Sequence, residues 1–124
     1  MPTDCYSVVA RLSVAGFHCW PAAHAARDYL RTRHRHQFVI TLELMVAHDR
    51  RAIEIHDLIQ SATDALHHLV PMRAGAFEFG ERSCETIAEL LGTTLDALYL
   101  TPWLKVTVLE DGEAGGAWTR SRPS

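Results

Sequence analysis

The sequence predicts an α+β fold: a four-stranded antiparallel sheet in the chain order ββααββ, with two helices on one face. Three observations lead there. Segments with a two-residue hydrophobic alternation lie towards both ends of the chain, and two segments of helical periodicity lie between them. At 124 residues the chain is long enough for one core and too short for two.

The first strand runs from Tyr6 to Phe17, carrying Val8, Val9, Leu12 and Val14 with no breaker before Gly16. Residues 19–33 contain Pro21 and several alanines and read as a loop or a short helix. The clearest strand follows. Phe38, Ile40, Leu42, Leu44 and Val46 are apolar, while Gln37, Thr41 and Glu43 alternate with them. Extended backwards, this strand carries His34 and His36 in the parity of Phe38, so both project from its apolar face.

Residues 48–53 form a turn. From Glu54 to Val70, the residues Ile55, Leu58, Ile59, Ala62, Leu66 and Leu69 recur at three and four, a helical stripe ended by Pro71 and Gly75. A second helix starts near Ser83, an N-cap residue with Glu85 in the first turn. Ile87, Leu90, Leu91, Leu95 and Leu98 supply its buried face, and Gly92 should weaken its middle by roughly 1 kcal/mol. After Pro102, "WLKVTVLE" alternates again, and "DGEAGG" turns into a last strand, "AWTR". One domain spans residues 1–120, and residues 121–124 form a frayed tail.

Composition narrows the function. The apolar fraction of 48% is that of an ordinary globular protein, and a net charge of -3 excludes a nucleic-acid binder relying on electrostatics alone. Basic residues cluster only in "RDYLRTRHRH", a patch suited to small anions or to nothing. No apolar run approaches the roughly 18 residues of a membrane span, and no signal-peptide pattern opens the chain. The cysteines, Cys5, Cys19 and Cys84, are scattered without a CxxC, which argues against a disulfide framework and for a cytoplasmic protein.

The chemistry concentrates in histidines. Two at i, i+2 on a strand point the same way, and His18, at the end of the neighbouring strand, can complete a three-nitrogen metal site with an open fourth position. HxH alone is weak; the upstream histidine at a strand end strengthens it. His24, His48 and His56 have no partner pattern and read as surface or turn residues. Cys84, at a helix start, is a candidate thiolate or a small buried residue. Cys19 should point away from His18. Trp20, Trp103 and Trp118 serve packing or an interface, unless one stacks on a bound ring near Glu110.

With this order and these residues the chain resembles the 6-pyruvoyl-tetrahydropterin synthase / 6-carboxytetrahydropterin synthase family, whose fold is the T-fold. "GFHCWP" is similar to the family's first histidine motif and "RHRHQFVITLEL" to its HGH strand. "AIEIHDL" is similar to the segment before the first helix, "SCETIAELL" to the (T/S)-x-E helix start, and "VTVLEDGEAGGAW" to the last hairpin with its glutamate. The resemblance implies Zn2+ held by His18, His34 and His36, and a pterin- or purine-type heterocycle anchored by Glu110. A carboxylate there accepts two parallel N–H bonds from an aminopyrimidinone edge. It also implies a homo-oligomer, a trimer or a hexamer.

The chain departs from the family at its proton-transfer residues. The family's cysteine, four residues before the HxH pair, is Leu30 here, and its Asp-His dyad falls on Leu66 and His67, leaving His67 as the catalytic candidate. Leucine moves no proton, so the standard reaction cannot run unchanged. Arg35 replaces the glycine of HGH and adds a cation to the metal strand. Asp64, His67 and His68 form an outward cluster on the first helix, a solvated face or an interface, in which Asp64 and His68 can pair. Two functions follow: a zinc-binding protein that keeps the heterocycle pocket, and a divergent zinc-dependent lyase on a dihydroneopterin-triphosphate-like substrate of the pterin or 7-deazaguanine pathway. An assembly-only shell is the bland third.

Overall fold

A computed structural model describes residues 2–123. The elements are β1 (Tyr6–His18), a 3-10 helix (Ala25–Leu30), β2 (His34–Val46), α1 (Ile55–Leu69), β3 (Met72–Arg73), β4 (Ala76–Gly80), α2 (Cys84–Tyr99), β5 (Trp103–Glu110) and β6 (Ala114–Ser121). They form one six-stranded sheet in the order β3-β4-β1-β2-β5-β6. The four predicted strands are β1, β2, β5 and β6, adjacent and antiparallel.

The strand count needs correcting at the other edge. A small hairpin between the helices, β3–β4, adds two strands, and β4 runs parallel to β1, so the sheet is mixed. Ala74 and Gly75 take φ of 53° and 77°, the left-handed pair that closes a two-residue hairpin. Gly75 therefore turns a hairpin rather than ending the helix. The other end differs as well. Ser121, placed in the tail by the sequence, pairs with Trp103, and the Arg122 N–H donates to the Pro102 carbonyl at 2.8 Å. Ser124 of that tail lies outside the described residues.

Alternation decides which face is buried. Phe38, Ile40, Leu42 and Leu44 of β2 and Leu104, Val106 and Val108 of β5 are fully buried on one face. Leu58, Ala62 and Leu66 of α1 and Ile87, Leu91 and Leu95 of α2 join them in a single core, so both helices cover that face. Each helix is capped from its own sequence. The Glu54 carboxylate accepts from the Asp57 N–H at 2.8 Å, and the Ser83 hydroxyl accepts from the Thr86 N–H at 3.2 Å. No helix among the described residues is long and apolar enough to cross a membrane.

Edge strand β6 is tied to α2 by two unlike contacts. Asp96, buried on α2, accepts from Arg120 at 3.1 Å and from Arg122 at 2.7 Å. Burial alone would push its carboxyl up; the two guanidinium groups outweigh that and hold it below its ordinary value. The second contact explains Gly92, where a Cβ would overlap the Trp118 ring. The helix gives up propensity so that an indole from β6 can pack close against its backbone.

Gly92→Ala therefore reverses the usual helix rule. Alanine gains about 1 kcal/mol of propensity, but overpacking costs on the order of 1–3 kcal/mol. The variant should melt below the parent in a thermal unfolding scan. A raised melting temperature would show that Trp118 moves aside freely.

Candidate metal centre

The antiparallel register of β1 and β2 builds the centre. His18 stands directly opposite His34, Gly16 opposite His36 and Val14 opposite Phe38. At the last residue of β1 the pairing with β4 shifts register, His18 standing opposite Gly80 with Phe79 bulged out of the ladder. Beneath the three rings, Phe38 meets Phe79 edge to face at 5.1 Å, and His18 meets Phe38 at 5.2 Å. A side chain at Gly16 would collide with both phenyl rings, so glycine keeps this floor in place. The parity argument holds: His34 and His36 share the face of the fully buried Phe38.

The three imidazoles converge. One ring nitrogen from each of His18, His34 and His36 lies within 4.8 Å of the other two. The other nitrogen of each ring is already committed. Nδ1 of His18 lies 3.1 Å from the Arg82 carbonyl, Nδ1 of His34 lies 2.9 Å from the Thr32 carbonyl, and Nδ1 of His36 lies 2.8 Å from the Asp111 carboxylate. A carbonyl or a carboxylate only accepts, so each Nδ1 carries the proton and each Nε2 presents a lone pair. All three Nε2 atoms are buried without a hydrogen-bond partner. Buried nitrogens without partners are costly in a protein interior. Here they point at one another.

Charge tells the same story. The Glu110 carboxylate lies 3.1 Å from Nε2 of His18 and 3.5 Å from Nε2 of His36, without hydrogen-bond alignment. Lone pairs facing a carboxylate at that range repel unless a cation sits among them. Burial lowers the His18 pKa, and the pull of the Arg82 carbonyl and of Glu110 does not reverse it, so this ring is neutral at pH 7 and ready to ligate. Three imidazoles whose Nδ1 atoms are committed elsewhere, with an adjacent carboxylate, suit a divalent transition metal.

The centre opens on a cavity of about 550 Å³ lined by His18, His34, Trp20, Leu30, Glu85 and Glu110, among others. Leu30 thus occupies the cavity wall, and Trp20 is the indole nearest the site. Cys19 also lines the cavity, contrary to the expectation from alternation, because β1 ends at His18 and the alternation ends with it. Cys84 is not a thiolate. Burial, then the charges of Glu110 and Glu85, push its thiol up to about 12, overriding the helix N-terminus. Its Sγ lies 3.9 Å from Glu110.

Three other expectations meet the structure differently. His67 is not part of the cavity lining; its ring lies against Phe77 at 5.1 Å. Asp64 accepts from Gln60 at 2.8 Å, so the partner it takes is not His68. Arg35 pairs with Phe17 of β1 and alternates with His34 and His36, which puts its cation on the opposite face. The sequence reading missed Asp111 and Arg82, and gave Glu85 only a place at the helix start. The Asp-Gly pair after Glu110 was a turn signal, but nothing local tied it to His36.

The backbone has known counterparts. A crystal structure of 6-pyruvoyl tetrahydropterin synthase from Plasmodium vivax superimposes with a TM-score of 0.67 over 97% of this chain and 100% of that one, at 14% identity. The chain has the T-fold. Two further structures of the Plasmodium vivax synthase, described as catalytic residue mutants with glutamate replaced by cysteine or alanine, match with a TM-score of 0.66, also at 14% identity and with the same coverage. No family model matches the sequence, and the search of curated proteins found no match. The T-fold is carried here by strand register and core shape rather than by sequence identity.

Purified protein should carry about one transition-metal ion per chain, the stoichiometry of a single three-histidine centre. The double variant His34→Ala/His36→Ala should carry none by elemental analysis. Full occupancy in that variant would place the metal elsewhere.

Proposed function

We propose that this T-fold protein binds Zn2+ through His18, His34 and His36 and holds a pterin- or purine-type heterocycle in the adjoining cavity without running the standard synthase reaction. The observation that carries the reading is the set of three buried, unpartnered Nε2 atoms, on histidines two of which, His18 and His34, line that cavity. Zinc there would polarise an oxygen of the bound ligand. Glu110, acceptor-only when ionised, suits the paired N–H groups of an aminopyrimidinone edge. Its closeness to two of the histidines puts an anchored ring directly beside the metal. Leu30 supports the non-catalytic side of the proposal: the wall position where the family resemblance expects a proton-transfer cysteine is an alkyl group that neither gives nor takes a proton.

A second reading, a divergent lyase on a dihydroneopterin-triphosphate-like substrate, gains from one finding. The Plasmodium vivax synthase is described as having a catalytic glutamate, and this cavity is lined by Glu81 and Glu85 as well as Glu110. A carboxylate can stand in for the cysteine as a base. On that reading His67 contributes only from a neighbouring protomer, since it lies outside its own chain's cavity.

A cytoplasmic homo-oligomer, trimer or hexamer, belongs to the same proposal. Edge strand β6 has eight residues and pairs only with β5, and long open edges are usually covered. Light scattering at micromolar concentration should report a trimer or a hexamer; a monomer would overturn this part.

Glu110→Gln should weaken binding of a pterin or guanine analogue by about 1–3 kcal/mol in calorimetry, with the oligomer unchanged. Turnover of dihydroneopterin triphosphate by the parent protein would favour the lyase. No binding across a panel of pterins, purines and deazapurines would favour the assembly-only shell.

A further inference from the structure

Of the three histidines, two have their Nδ1 protons held by main-chain carbonyls, which any residue at those positions supplies. His36 differs. Its partner is a side chain, Asp111, on the turn between β5 and β6. We propose that Asp111 is the positioning residue of this centre, holding His36 in the one tautomer and orientation that can ligate a metal; the inference rests on the metal-binding reading of the triad.

The geometry is specific to aspartate. Asp111 has φ of 54°, in the left-handed region that aspartate, asparagine and glycine enter more readily than other residues. In that conformation its N–H donates to the Gln37 carbonyl at 2.7 Å, and its Oδ1 accepts from the Gln37 N–H at 2.9 Å. Both polar groups of the Gln37 backbone are therefore clamped by one residue. The remaining oxygen, Oδ2, accepts from Nδ1 of His36 at 2.8 Å. One carboxylate thus fixes the peptide beside His36 and the imidazole itself, and it does so from the residue following Glu110.

Glycine would keep the backbone turn and lose both side-chain bonds. Asparagine would keep the turn but offer one acceptor where two donors need one. If its carbonyl stays on the Gln37 N–H, its amide N–H group faces Nδ1 of His36. That nitrogen must then give up its proton to Nε2, and a protonated Nε2 cannot ligate. Carboxylate partners of this kind typically change metal affinity by 10–100-fold.

The test has two arms on the whole protein. Histidine 15N NMR of the metal-free parent should show His36 with its proton on Nδ1. Asp111→Asn should move that proton to Nε2 while His18 and His34 keep theirs on Nδ1, a selectivity that general destabilisation would not produce. Chelator competition with Co2+ should then show Asp111→Asn and Asp111→Gly binding about 10–100-fold more weakly than the parent, with an altered visible Co2+ spectrum. Parent-like affinity and an unchanged His36 tautomer in both variants would overturn the role of Asp111 and leave the metal-binding reading intact. A parent that binds no Co2+ or Zn2+ would overturn the metal-binding reading itself, and the inference with it.

Discussion

The pairing of β1 with β2 is the constraint on which the rest depends. Thirteen consecutive residue pairs in register put His18 opposite His34 and Phe38 opposite Val14. A slip of one residue would turn Phe38, Ile40, Leu42 and Leu44 out of the core and His34 and His36 with them. The hydrophobic face and the face that carries His34 and His36 are the same face of the same strand. The burial that stabilises the sheet therefore also holds the histidines in place, so the site needs little stabilisation of its own.

That sharing creates an electrostatic problem at the mouth of the core. Three lone pairs, buried from solvent above the apolar floor of Phe38 and Phe79, face the partly exposed Glu110 carboxylate. Surrounding groups deepen the conflict instead of relieving it: two carbonyls and a carboxylate hold every Nδ1 proton away from the centre. A protein that needed only a folded core would use apolar residues here, since unpaired polar groups in such a place cost stability. The arrangement makes physical sense with a cation. Burial first, and then the charges of Glu110 and Glu85, keep the neighbouring Cys84 thiol protonated.

Elsewhere the fold spends local preference on tertiary contacts. Gly92 weakens α2 as an isolated helix and admits Trp118, while Asp96 accepts burial because Arg120 and Arg122 reach it from the next layer. Both contacts fasten β6, the long edge strand, to the helix that covers it. β5 ends at Glu110 and Asp111 follows it in the turn to β6, so this edge supplies both carboxylates that reach the histidine cluster.

The sequence by itself determined the fold class, the four long strands, both helices with the Ser83 cap, and the face on which His34 and His36 lie. Those properties are written in spacings of two, three and four residues, within reach of any local pattern. It also pointed to His18, by its place at a neighbouring strand's end, and through a resemblance to the T-fold. Tertiary structure alone decided the rest. The β3–β4 hairpin carries too few residues to show a period, and Gly75 reads equally well as a helix stop. β1 ends at His18, and with it ends the alternation that sends Cys19 away from the site. His36 and Asp111 are 75 positions apart, and only the β2–β5 register brings them within 2.8 Å. The tautomers of the three imidazoles, and hence their fitness to hold a metal, depend on acceptors from other strands and loops, and no local pattern encodes those.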